Sequence, residues 1–257
     1  MTSNLKSVKG MEEVVRIQKE VAEGRVAGPF AEPPVPTLHI SPLGMVPKKL
    51  PGEFGLIHHL SYPASESVND MISQELCKVR YTSFDAAIPM VRSRGTGADL
   101  AKAEIKSAFC LLPVHPADFK LLGFQFEGCF QMDKVMPIGC LVSCAAFEHF
   151  SSFLEWALMH RVGLSHVVHF LDDFCMCGKP GSGQCQFIIR AFQTLTRGLA
   201  VPLVEEKSEA PSIYITFLGI ELNTVQQSSR LPDSKFSDLR IRIRNLLQRQ
   251  CVILRGL

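Results

Sequence analysis

No run in this chain approaches the ~18 consecutive apolar residues that a membrane-spanning helix needs. The N-terminal MTSNLKSVKG has no apolar core of the kind a secretory signal carries. Neither a membrane span nor export is therefore expected, and the location expected is intracellular, nucleus or cytoplasm. There is no long polar tract of the sort that leaves a chain disordered, and no internal repeat. A strong charge imbalance is missing too: 27 Lys+Arg against 25 Asp+Glu leave +2, so bulk electrostatics do not announce a nucleic-acid binder. Nine cysteines are present without paired zinc spacing. Cys175, Cys177 and Cys185 form C-x-C followed by a lone Cys, which reads as reduced thiols packed in a core. The glycine-rich GKPGSG at 178–183 lacks the G-x-x-x-x-G-K-[ST] order and reads as a flexible connection, not a phosphate loop.

What is present is ample apolar material. Hydrophobic residues make up 46% of 257 positions, enough for one large domain or two modest ones. Met11, Val14, Ile17 and Val21 predict an amphipathic helix over 10–23. The proline-rich GPFAEPPVPTLHISP that follows predicts an extended linker. LGMVPKK and EFGLIHHL predict two strands over 43–49 and 54–60, joined by a turn at Leu50-Pro51-Gly52. A helix over 84–93, a short strand over 100–105 and a helical start at Lys106 come next. Cys140, Cys144, Phe147, Phe150, Phe153, Leu154 and Leu158 predict a long buried helix over 140–160. Residues 184–199 read as a helix and SIYITFLGIEL as strand. The last predicted element is a helix over 234–249 with Phe236, Leu239, Ile243 and Leu246 on one stripe. Strands and helices alternate irregularly, which is the pattern of an α+β fold.

Charge is unevenly spread. Residues 235–257 carry Lys235, Arg240, Arg242, Arg244, Arg249 and Arg255 against Asp238, so this segment holds +5 and the rest of the chain −3. A basic end of this kind fits phosphate neutralisation and fits equally well a solvated helix face.

The stretch with most chemical content is VVHFLDDFCMC. Two apolar strands flank Asp172-Asp173, so a hairpin corner holds adjacent carboxylates at the lip of a buried ladder. Asp-Asp is not the pair that a two-residue hairpin turn favours, and strained, charged corners on apolar scaffolds are often functional. Carboxylate oxygens are hard donors suited to Mg²⁺. Most Asp-Asp pairs are nonetheless solvated turns, so the pair needs support from elsewhere.

That support comes in order along the chain. AKAEIKSAFCLLPVHP puts Glu104 at the end of a short strand with Phe109 five residues on; MPIGCLVSCAAFEHF runs from a Pro-Gly turn into a helix. VEEKSEAPS puts Lys207 on a loop, and ITFLGIEL makes a short strand pair. In this order and spacing the segments resemble the palm motifs of a reverse transcriptase, with FLDD in place of the YxDD box. SPLGMVPKK, EFGLIHHLSYP and SVND resemble retroelement fingers, those of DIRS-like tyrosine-recombinase retrotransposons above all. The resemblance runs from about residue 12 to 245.

It implies a right-hand polymerase: an N-terminal helix and linker over 1–36, fingers and a ferredoxin-like palm sheet with packed helices over 37–222, and a truncated thumb over 223–257. It implies RNA-directed DNA synthesis from dNTPs on an RNA or DNA template-primer. Two Mg²⁺ ions, or Mn²⁺, would be held by Glu104, Asp172 and Asp173. Lys207 would protonate the departing pyrophosphate. Lys48, Lys49, Phe109 and Gly139 would contact the incoming nucleotide, Phe109 as the wall against a 2′-hydroxyl. Phe217, Leu218 and Gly219 would grip the primer end. Each has a plainer reading as well: Phe109 as core, Gly139 as a turn, Lys207 as a solvated charge beside Glu205 and Glu206.

Two departures from the family pattern stand out. The first carboxylate is normally Asp, and here it is Glu104. Its extra methylene displaces the carboxylate by roughly 1 Å, and a misplacement of that order can cost about 10²-fold in rate. Asp99 cannot replace it, because an odd offset of five puts it on the other face, ~16 Å away. The fingers strand normally reads x-R-L-I-H, but Gly55 stands where the arginine would clamp a triphosphate; a lost charge-assisted hydrogen bond costs ~1.5–3 kcal/mol. Phe170 for Tyr is a milder change. The chain stops soon after the start of a thumb, with no RNase H carboxylate set and no recombinase following, so poor processivity is expected. Together these imply weak or lost polymerase activity. The rival expectation is a catalytically inactive, retroelement-derived nucleic-acid-binding or interaction protein.

Overall fold

The computed structural model describes residues 15–47, 54–163 and 166–248. In chain order its elements begin with α1 (residues 15–22), β1 (Val26–Phe30), β2 (Leu43–Pro47), β3 (Phe54–His58), α2 (Ala87–Arg92) and β4 (Asp99–Glu104). Next come β5 (Gly123–Phe126), β6 (Cys129–Asp133), α3 (Ser143–Val162), β7 (Val167–Phe170), β8 (Asp173–Gly178) and α4 (Gln184–Gly198). The chain continues through β9 (Glu209–Ser212), β10 (Tyr214–Phe217), β11 (Ile220–Asn223), β12 (Ser228–Arg230) and α5 (Asp233–Leu247). It divides into two units: residues 1–81 with 107–152, and residues 82–106 with 153–257. The result is a mixed α and β fold built on antiparallel sheets. Among the described residues no helix is long and apolar enough to cross a membrane.

In the first unit, β1-β6-β5 form an antiparallel sheet and β2-β3 an antiparallel pair. Ile17 and Val21, one helical turn apart on α1, pack with Val26, Leu43, Leu56, Phe124 and Phe126. This is the apolar stripe that the 10–23 periodicity predicts, with residues 10–14 outside the described residues. The expected linker is shorter than its prolines imply. Gly28, Pro29 and Phe30 belong to β1, and the irregularity they bring is absorbed as a register shift between Ala27 and Phe30 against β6.

β3 ends at a buried polar knot. His58 Nε2 donates to the carbonyl of Gly123 at 3.1 Å, and Nδ1 lies 2.8 Å from Asp133 Oδ2. Burial pushes the Asp133 carboxyl up, and the hydrogen bond to His58 partly offsets that. The turn at 137–141 is seated on this strand. Asn69, from SVND, donates to Gly139 O at 2.9 Å and accepts from Leu141 N at 2.8 Å. Gly139 has φ +118, and a Cβ there would lie 2.0 Å from His58 O. The glycine is thus demanded by the backbone of β3, whatever else it does.

In the second unit, four antiparallel strands run in the order β7-β8-β4-β9, and β10-β11-β12 form a separate sheet. On α4, Cys185, Ile188, Ile189, Phe192 and Thr196 recur at helical spacing and are buried. Phe192 meets Phe174 of β8 with ring centroids 4.6 Å apart, so α4 covers one face of the four-stranded sheet. The other face carries Leu100, Cys175 and Cys177, which pack with Ala87, Met90 and Val91 of α2 and with Ile215, Phe217 and Leu222. All three closely spaced cysteines are therefore packing thiols, and burial pushes each thiol up.

The short strand pair expected of ITFLGIEL is present: Phe217 pairs with Ile220 around a Leu218-Gly219 turn in which both residues have positive φ. Other expectations need correction. The start at Lys106 yields only a 3₁₀ turn over Ala108–Leu111. Helix α3 is buried along Phe147, Leu154 and Leu158, but Phe153 and Trp156 on its surface are about half exposed, 47% and 51%. The helix expected over 234–249 is α5, and its stripe is left uncovered, with no residue of α5 buried. GKPGSG is a hydrogen-bonded turn, with Gly181 N donating to Asp99 Oδ2 at 3.1 Å and Ser182 Oγ to Lys179 O at 2.7 Å.

Candidate active site at the end of the four-stranded sheet

Period-two alternation along β4 puts Leu100, Lys102 and Glu104 on one face. Their partners on β8 are Cys177, Cys175 and Asp173. Read along the ladder, this face runs from apolar through basic to acidic. Lys102 occupies the middle step, with Nζ 3.0 Å from Glu209 Oε1 and 3.2 Å from Thr216 O. Glu104 lies directly opposite Asp173, and Ile105 N donates to Asp172 O at 2.9 Å. Three carboxylates therefore share one end of the sheet.

The corner itself differs from the expected one. Phe170 pairs with Asp173, so the two-residue loop is Leu171-Asp172, and Asp173 is the first residue of β8. Leu171 takes φ +50, an uncommon conformation for a bulky residue. The strain expected at the aspartates falls on Leu171 instead, which leaves Asp173 in regular ladder geometry opposite Glu104.

Lys207 reaches the same place from the other side of β4. Ile105 bridges Leu203, Lys106 N donates to Pro202 O at 2.9 Å and Val204 N to Glu104 O at 2.8 Å. The chain then turns through a 3₁₀ turn at Glu205–Lys207. Lys207 Nζ meets Glu104 Oε1 at 2.5 Å, and this bond raises the lysine pKa. Partial burial pushes Asp173 up to about 6, helped by the negative charges of Asp172 and Glu104 and opposed by Lys102 and Lys207. Asp172 is raised by the same burial, with Glu104 adding to it. The edge is thus a crowded anionic cluster held in check by two lysines.

Such hard oxygens are the chemistry a Mg²⁺ ion asks for. In the arrangement seen, however, they do not fit a shared ion. Among the described residues no three His, Cys, Asp or Glu side chains form a set that would hold a metal, and Glu104 is engaged by an ammonium.

Phe109 and Gly139 belong to the first unit, and Phe109 packs edge-on against Phe147 at 5.8 Å. Lys48 and Lys49 lie outside the described residues. Phe217 is 1% exposed and part of the core, so at this hairpin only Leu218 and Gly219 occupy the turn. Gly219 O accepts from Lys235 Nζ at 3.0 Å. Lys102 was not among the predicted site residues, although its place two residues before Glu104 on a strand is the signal that would have marked it.

No protein-family model matches the chain. The Gag-Pro-Pol polyprotein of Mason-Pfizer monkey virus is 27% identical over 128 residues, and that of simian retrovirus SRV-1 is 26% identical over 131 residues. Each alignment covers 47% of this chain and 7% of the polyprotein. Among solved structures, a foamy viral protease-reverse transcriptase in complex with double-stranded DNA superposes with a TM-score of 0.71 at 16% identity, covering 92% of this chain and 37% of that one. The foamy viral enzyme with an RNA/DNA hybrid gives 0.67 at 14% identity, covering 91% and 28%. The fold is reverse-transcriptase-like, and the chain spans well under half the length of the proteins that it resembles.

Proposed function

We propose that this chain is a reverse-transcriptase domain whose inherited activity is template-directed nucleotidyl transfer from dNTPs to a primer 3′-hydroxyl, weakened by Glu104 and Gly55. One observation carries the reading: within a reverse-transcriptase-like fold, Glu104, Asp172, Asp173 and Lys207 come from separated segments to one end of one sheet. In this reading the four-stranded sheet is the palm, β2 and β3 belong to the fingers, and α5 begins the thumb. Phe109, Gly139, Lys48 and Lys49 are the nucleotide-side residues, and the Leu218-Gly219 turn is the primer grip. Descent from a DIRS-like element belongs to the same proposal, on SPLGMVPKK, EFGLIHHLSYP and SVND.

The reaction of this class depends on divalent cations, Mg²⁺ or Mn²⁺, and Asp172 and Asp173 are the residues left to bind one while Glu104 holds Lys207. The partner is a template-primer duplex, in keeping with the double-stranded DNA and RNA/DNA hybrid bound by the foamy viral enzyme. A second reading, binding of nucleic acid without chemistry, is favoured by the Glu104–Lys207 pair.

Primer extension on an oligo-primed RNA template, in Mg²⁺ and separately in Mn²⁺, decides between them. The chain is compared with Asp172→Ala and with the double change Glu104→Asp plus Gly55→Arg. A Cβ at Gly55 would approach Val46 Cγ2 at 3.3 Å, and Val46 is exposed and free to give by a few tenths of an ångström. Weak extension that Asp172→Ala abolishes and the double change raises by about 10²-fold is the expected result. Template-primer binding without extension in any variant would leave the second reading.

A further inference from the structure

The ion pair between Glu104 and Lys207 is not a chance meeting of surface side chains. The backbone from Pro202 to Val204 is hydrogen-bonded along the end of β4, through Lys106 N to Pro202 O and Val204 N to Glu104 O. The turn that follows is closed by Lys207 N donating to Val204 O at 3.2 Å. Lys207 is thereby delivered over one carboxylate. The two ends differ in exposure: the Glu104 side chain is 16% exposed and that of Lys207 57%. The acid is fixed on the strand while its partner stands largely in water on a flexible four-carbon stem. The longer side chain at 104 also matters, because its extra methylene carries the carboxylate further from the backbone than Asp would.

We infer that Lys207 is the resident counter-cation of this carboxylate edge, its ammonium holding the Glu104 oxygen that a divalent ion needs, so that a cation binds the full edge only by displacing it. This rests on the polymerase reading of the same edge and adds to it a gate internal to the chain. One carboxylate oxygen facing an ammonium at hydrogen-bond distance has a lone pair and much of its charge already committed. The gate is soft, since an ion pair with a largely exposed lysine is readily exchanged for water. Loss of the lysine frees Glu104 to join Asp172 and Asp173.

The test is Mn²⁺ binding by the full chain, read from the electron paramagnetic resonance signal of free Mn²⁺, so that it does not depend on activity. Wild type, Lys207→Met, Glu104→Gln and the double variant are titrated, with Lys207→Gln as a second replacement. Lys207→Met is expected to bind Mn²⁺ about fivefold more tightly than wild type. That gain should vanish in the Glu104→Gln background, because the cycle isolates the pair from the general effect of removing a positive charge. An equal gain in both backgrounds overturns the gate, as does no gain at all. Loss of wild-type Mn²⁺ binding in Asp172→Asn plus Asp173→Asn would keep the polymerase reading standing even then. No Mn²⁺ binding by any variant overturns both.

Discussion

Glu104 and Asp173 are cross-strand partners on β4 and β8, which puts two carboxylates on the same face of one sheet with Asp172 next along the corner. Directly opposed residues in an antiparallel pair have Cβ atoms about 4.5–5.5 Å apart, and like charges placed so are destabilising. The arrangement therefore costs stability; burial is the main cause that raises both aspartates, and the neighbouring negative charges add to it.

The first prediction follows from the sign of the shift. Burial, with the negative charges of Asp172 and Glu104 adding to it, pushes the Asp173 carboxyl from the ordinary 3.8 up to about 6 in the folded chain. The folded state thus binds its proton more tightly than the unfolded state does. The stabilising contribution of the protonated form is complete below about pH 4 and is lost as pH rises through 6. Asp173→Asn should accordingly stabilise the protein at pH 7 by on the order of 1 kcal/mol, about 2–4 °C in Tm, and by much less at pH 4. Thermal unfolding followed by circular dichroism across that range checks it; a gain independent of pH would rule out the charge explanation.

A second prediction concerns Gly139. Its φ of +118, and the 2.0 Å that would separate an added Cβ from His58 O, leave no room for any side chain. Gly139→Ala should destabilise the chain by roughly 3 kcal/mol or more, seen as a lower urea midpoint or as failure to fold. Unchanged stability would mean that the turn does not rest on β3 as described.

The third concerns α5, whose residues are all at least partly exposed. Its first turn is tied to the β10–β11 hairpin by Lys235 Nζ donating to Gly219 O at 3.0 Å. Lys235→Met should leave the core intact while loosening the helix, with faster amide exchange confined to 233–247. Equal protection in both proteins would show that this bond does not anchor the helix.

Much of the local structure was legible in the residues. The stripe on α1, the flanking strands around FLDD and the 184–199 helix follow from period and side-chain type. The Asp-Asp pair and the order of the motifs singled out Glu104, Asp172, Asp173 and Lys207 as candidates, and these four do meet at one end of the four-stranded sheet. The register was not legible: that Leu171 rather than an aspartate takes the strained corner depends on which residue of β7 pairs with Asp173. Nor does the sequence say that the α5 stripe stays exposed, since periodicity shows that one face is apolar and is silent on whether anything covers it.

By itself, then, the sequence carried the mixed α and β character and a motif order that resembles that of a reverse transcriptase, in keeping with the fold observed. Tertiary structure alone decided that Glu104 opposes Asp173 and that Lys207 closes on Glu104. Propensity and periodicity act over a few neighbouring residues, whereas these pairings join positions tens of residues apart. They are set by strand register and by the backbone bonds between 202–204 and the end of β4.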